Sequence, residues 1–65
     1  MKTFFKVECF HNYKKTHSWN YDNFGAARAI YEHLVNSDEF AYENNIMLWC
    51  MQDDEAFLVY SHAKS

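Results

Sequence analysis

Ile46-Met47-Leu48-Trp49-Cys50-Met51-Gln52-Asp53-Asp54-Glu55-Ala56-Phe57-Leu58-Val59-Tyr60 is apolar at nearly every position outside its acidic centre. It reads as two strands joined by a turn at Asp53-Asp54. Alternate side chains of a strand point to opposite faces, so a turn there pairs Cys50 with Phe57, Trp49 with Leu58 and Leu48 with Val59. One face of the hairpin then carries Ile46, Leu48, Cys50, Phe57 and Val59. The other carries Met47, Trp49, Met51, Leu58 and Tyr60. A short chain can hide one face of a single sheet beneath its own helix, which leaves the second apolar face in need of a partner.

Upstream, Thr3 to His11 alternates well enough for a strand. Phe5, Val7 and Cys9 share the face suited to a core, with His11 at its end, and Phe4, Lys6, Glu8 and Phe10 share a mixed face. Asn12-Tyr13-Lys14-Lys15 reads as a polar loop in which asparagine tolerates turn angles. Thr16 to Tyr21 returns as an edge strand, with His17, Trp19 and Tyr21 opposed to Thr16, Ser18 and Asn20. Asp22 or Asn23 can cap a helix, because a short acceptor side chain satisfies an orphan N–H of the first turn. From Phe24 the period becomes helical. Phe24, Ala27, Ile30, Tyr31, Leu34 and Val35 form one stripe, and Gly25, Arg28, Glu32 and His33 point away from it. Asn36-Ser37 ends this helix. Ser37-Asp38-Glu39-Phe40 can open a further short turn, and the segment to Asn45 can bring Phe40 and Tyr42 over the sheet as a lid.

These elements predict a single α+β domain over residues 1–65: ββαββ, a four-stranded antiparallel sheet with one helix on one face. Strand order 2-1-3-4 is preferred, because a helical crossover then keeps all neighbours antiparallel and puts the apolar third strand inside; 1-2-3-4 is the alternative. At 65 residues, 49% apolar and 20% aromatic, the chain is globular in type. A core of this size supplies only about 3–5 kcal/mol of net stability. The net charge of −3 provides no basic footprint for nucleic acid. The two cysteines, Cys9 and Cys50, are too few for a secreted disulfide framework. No apolar leader or membrane-length run stands out, so a cytoplasmic protein without membrane contact is expected.

Chemical motifs are sparse. Cys9, His11 and Cys50, with His17 or His62, are ligand types for zinc, but without the usual close spacing. Cys9 and Cys50 can meet only if strands one and three are neighbours; two thiols packed as small hydrophobes is the simpler reading. Cys9 and His11 lie on one strand face, which is a weak nucleophile-base signal. Glycine-rich phosphate loops are missing, and Asp22 at the helix start disfavours an anion. A domain this small has little volume for a substrate cleft. The expectation is therefore no enzyme, no catalytic residue, no metal and no cofactor. Phe4, Lys6 and Phe10, with Lys14-Lys15, suggest a sheet that stacks single-stranded bases, against the acidic balance. Asp38, Glu39, Glu43, Asp53, Asp54 and Glu55 form an acidic surface that can imitate phosphates or simply solvate turns. Met47, Trp49, Met51, Leu58 and Tyr60 are the candidate partner-binding residues, since tryptophan and tyrosine dominate hot spots and methionine adapts to irregular surfaces.

The layout of an aromatic-rich hairpin, the alanine-containing helix Phe24-Gly25-Ala26-Ala27-Arg28-Ala29-Ile30-Tyr31 and a second hairpin resembles small phage-encoded accessory proteins. Some of these inhibit host defence systems, anti-CRISPR proteins among them, often as dimers and without catalysis. The resemblance spans the chain at the level of layout and transfers no functional residue. It implies a non-enzymatic protein-protein interaction module: a homodimer that binds and inhibits a host protein, such as a defence nuclease complex, by occlusion in the host cytoplasm. The other expectations are a single-stranded nucleic-acid-binding sheet and a small zinc domain on Cys9, His11 and Cys50.

Overall fold

The computed structural model of the chain describes residues 2–37 and 45–63. Its elements run β1 (Thr3–His11), β2 (Lys14–Tyr21), α1 (Phe24–Asn36), β3 (Asn45–Gln52) and β4 (Glu55–Ala63). The strands form one sheet in the order β2-β1-β3-β4, with every neighbouring pair antiparallel. The expected 2-1-3-4 layout is the observed one.

Local chemistry accounts for the boundaries. The first hairpin turns on Asn12 and Tyr13, both left-handed with φ of 52° and 66°. Two such residues in succession match the twist of a tight hairpin. β2 therefore starts at Lys14, two residues earlier than the alternation from Thr16 suggests. The second hairpin turns at Asp53-Asp54, and Asp53 takes φ 54°. Asn23 caps α1 by accepting a hydrogen bond from the Ala26 backbone N–H at 3.0 Å. On the outer helix face Arg28 donates to Glu32 at 3.1 Å, a favourable i,i+4 pair on exposed surface.

The helix covers β1 and β3. Val7, Cys9, Ala27, Leu34, Ile46 and Leu48 are fully or almost fully buried, and Phe5, Trp19, Tyr21, Ile30, Tyr31 and Val35 pack around them. The covered face is thus the one predicted from Phe5, Val7 and Cys9, joined to Ile46 and Leu48. The registers Val7↔Leu48 and Val7↔Trp19 bring these side chains into one row. So few dry side chains among the described residues, of which Val7, Leu34, Ile46 and Leu48 contribute about 1.5–3 kcal/mol each on burial, leave little stability in reserve.

Two irregularities alter the expected faces. Between β1 and β2 the register slips at Cys9/Phe10, so Phe10 pairs with Lys15 and Thr16 is the additional residue. Thr16 donates its hydroxyl to the Cys9 carbonyl at 3.2 Å. Between β3 and β4 the register slips at Leu48/Trp49. Trp49↔Leu58 and Cys50↔Phe57 are as expected, but Leu48 pairs with Tyr60 instead of Val59. One inserted residue moves everything beyond it to the other face. Tyr60 therefore lies on the helix side, stacked on Tyr31 at 5.6 Å and tilted against Phe24 at 6.3 Å. Phe24 also meets Phe5 edge-on at 5.5 Å. The assignment of Tyr60 to the face of Met47 and Trp49 is corrected by this bulge: a regular strand would carry Tyr60 there, and the inserted residue carries it away.

Candidate open-face binding site

The face of the sheet turned away from α1 is built by strand alternation and register. β1 places Phe4, Lys6, Glu8 and Phe10 there; β3 places Met47, Trp49 and Met51; β4 places Ala56 and Leu58. Rows cross the sheet as Phe4↔Met51↔Ala56 and Lys6↔Trp49↔Leu58. Towards β2 the surface turns polar through Ser18 and Asn20, opposite Glu8 and Lys6. Four of the five candidate binding residues, Met47, Trp49, Met51 and Leu58, thus share one surface, and Tyr60 is on the other side of the sheet.

Two features of this face are chemical as well as apolar. Glu8 is only 9% exposed, and Lys15 donates to its carboxylate at 3.2 Å from the neighbouring strand. That pairing removes most of the penalty of seating a carboxylate among apolar side chains. The second feature is Trp49. Its indole N–H is buried and finds no acceptor among the described residues. A buried donor left unpaired costs about 1–3 kcal/mol, so Trp49 occupies its place at a local energetic disadvantage.

Phe4 and Phe10 belong to this surface although the candidate set omits them. Alternation along β1 already sends them to the side opposite Val7, but only the β1–β3 pairing joins them to Trp49 and Met51. Each of the other sequence candidates has a different outcome. Asp53 is engaged with the chain's beginning: its N–H donates to the Lys2 carbonyl at 3.1 Å and its carboxylate accepts from the Lys2 N–H at 3.4 Å. Asp54 and Glu55 are exposed beside it. Asp38, Glu39 and Glu43, and the expected lid of Phe40 and Tyr42, lie outside the described residues.

The zinc reading depends on Cys9 and Cys50 converging, and the register separates them. β1 and β3 are neighbours, yet Cys50 sits opposite Phe5 and Cys9 opposite Ile46. The two rows are four positions apart along the strand, roughly 13 Å at the ordinary rise. Both cysteines are free thiols, Cys9 buried and Cys50 half-buried. Among the described residues no three histidine, cysteine or acidic side chains cluster closely enough to hold a metal ion.

Tyr31 is an ionisable group displaced from its ordinary range. Burial, reinforced by the neighbouring Tyr60, raises its pKa above 10.0. This tyrosine belongs to the helix-side aromatic cluster, and the shift reports packing. No helix among the described residues is long and apolar enough to cross a membrane. Comparison with protein-family models, with curated proteins and with solved structures finds no match to this chain.

Proposed function

We propose that this chain is a non-enzymatic protein-binding module whose open sheet face is the contact surface. The observation that carries the reading is the joined surface of Met47, Trp49, Met51 and Leu58 with Phe4 and Phe10, centred on a tryptophan whose N–H lacks an acceptor within the described chain. An apolar centre with a polar border at Lys6, Glu8, Lys15 and Ser18 has the anatomy of an interface, and a tryptophan at such a centre is the usual hot spot. A partner acceptor meeting the indole N–H adds a directional term that apolar burial lacks. The module acts by occlusion, covering a surface that its target uses. The layout resemblance to phage accessory proteins directs this reading to inhibition of a host protein in the cytoplasm, with the exposed Asp54 and Glu55 available to a basic target.

The test is retention of a target from lysate of the source cell on immobilised chain, with Trp49→Glu as the paired control. Loss of the retained band by Trp49→Glu, with an unchanged circular dichroism spectrum, is the expected result. Equal retention by both chains refutes the open face as the contact.

One observation favours a second reading. Phe4, Phe10 and Trp49 share their face with Lys6, which stands directly beside Trp49, and aromatic platforms with an adjacent cation stack single-stranded bases. Fluorescence anisotropy with labelled oligonucleotides separates the two. Salt-sensitive binding that Lys6→Glu abolishes supports the nucleic-acid reading; flat titrations remove it.

A further inference from the structure

We propose that a second copy of this chain occupies the open face, packed sheet against sheet about a two-fold axis that crosses the strands over the Val7–Leu48 row. The proposal rests on the reading of that face as a contact surface and adds which partner fits it. A copy and a target then compete for the same side chains.

β1 selects the occupant. Its open side runs Phe4, Lys6, Glu8, Phe10, while Phe5, Val7 and Cys9 between them turn to the helix. The order is aromatic, cation, anion, aromatic. A two-fold axis centred on Val7 and lying across the strand exchanges Phe4 with Phe10 and Lys6 with Glu8. Each charge of one copy then faces the opposite charge of the other, and each ring faces a ring. Contacts about a two-fold require such self-complementarity, residue i on j and j on i. Lys6 has no carboxylate partner among the described residues. Glu8 engages Lys15 through Oε2, and a carboxylate accepts from more than one donor, so it also takes Lys6 of the second copy.

The rest of the face follows the same axis. Val7 stands opposite Leu48 on β3 and Trp19 on β2. The rotation therefore also lays Trp49 on Met47, Asn20 on Ser18 and, on β4, Ala56 on Ala63. Unlike side chains meet at the periphery, Met51 on Asn45 and Leu58 on Ser61. Moving the axis one residue either way along β1 sets Lys6 against itself or Glu8 against itself, and like charges juxtaposed across an interface are costly. An axis along the strands lays β1 on β3, with Glu8 against Met47 and Phe10 against Asn45. At about 4.8 Å between strands and about 3.3 Å per residue, the four strands from the Phe4 row to the Phe10 row outline roughly 400 Å². With side-chain relief, two copies bury on the order of 1,000 Å², the lower bound of a specific interface.

Sedimentation equilibrium on the full chain, from micromolar to millimolar concentrations, tests the proposal. The expected result is a monomer–dimer equilibrium. Lys6→Glu and Glu8→Lys each bring like charges together at the axis, and each weakens self-association about tenfold or more. Mixed in equal amounts, the two variants associate with each other, since every charge pair across the axis is then of opposite sign. Circular dichroism checks that both variants fold. Isotope-filtered NOEs between labelled and unlabelled parent chains read the same axis without any substitution: Phe4 is expected to touch Phe10, and Trp49 to touch Met47, of the other copy. A chain that stays monomeric overturns the proposal, while retention of a target still decides the open-face reading by itself. A dimer whose folded charge variants stay apart when mixed, or whose inter-copy NOEs join Phe4 to Met51, overturns the axis. A dimer untouched by Trp49→Glu lies on another surface and overturns the second copy as occupant of this face.

Discussion

Replacing Trp49 by phenylalanine separates a side chain kept for the fold from one kept for a partner. The indole N–H is buried without an acceptor among the described residues, and relieving an unpaired buried donor is worth about 1–3 kcal/mol. Against this, phenylalanine covers less apolar surface. A loss of roughly 40 Å² at about 25 cal/mol per Å² amounts to about 1 kcal/mol. The two effects leave Trp49→Phe between neutral and about 2 kcal/mol more stable than the parent chain. For a domain this short, each kcal/mol moves the melting temperature by about 4–8 °C. Thermal and urea unfolding by circular dichroism should therefore show an unchanged or higher Tm, while affinity for the retained target falls. A drop of more than about 8 °C refutes the reasoning. It would mean that the indole is satisfied within the chain and that Trp49 belongs to a core on the second face.

On the covered side, Leu48→Ala empties a fully buried site between α1 and the sheet and should cost about 2–5 kcal/mol, comparable with the whole stability of such a domain; loss of the cooperative urea transition is the readout. Asn23→Ala removes the cap on the Ala26 N–H and should lower stability by about 1 kcal/mol, with Asn23→Ser largely preserving it. Tyr31 has a folded-state pKa raised by burial and by Tyr60, so its stabilising contribution is complete below 10.0 and is lost as pH rises through the folded value. Denaturation midpoints should fall through that alkaline window, and Tyr31→Phe should flatten the fall; an identical pH profile for the variant removes Tyr31 as the cause.

Much of the architecture was legible because local signals agree with one another. Asn23 as cap, the stripe from Phe24 to Val35, and the Asp53-Asp54 turn each arise from chemistry within a few residues. The order 2-1-3-4 came from keeping neighbours antiparallel and from burying an apolar third strand. The candidate site was legible in part. Met47, Trp49, Met51 and Leu58 fall together by alternation alone, since they flank a turn whose position the acidic pair reveals. Phe4 and Phe10 were visible as a face but not as part of that site, because joining them to Trp49 requires the β1–β3 register.

By itself, the chain's order of residues determined that there are more apolar strand faces than one helix can shelter, since face and period are properties of neighbouring residues. Tertiary structure alone decided which face of the second hairpin joins the face of Phe5, Val7 and Cys9 under the helix, where Tyr60 goes and whether the cysteines meet. Each of those depends on register between segments distant in sequence, and a single inserted residue at Val59 reverses the face of Tyr60 and of the strand beyond it. No pattern within β4 announces that insertion; it arises when Tyr60 packs against Tyr31 and Phe24 while Leu58 stays opposite Trp49.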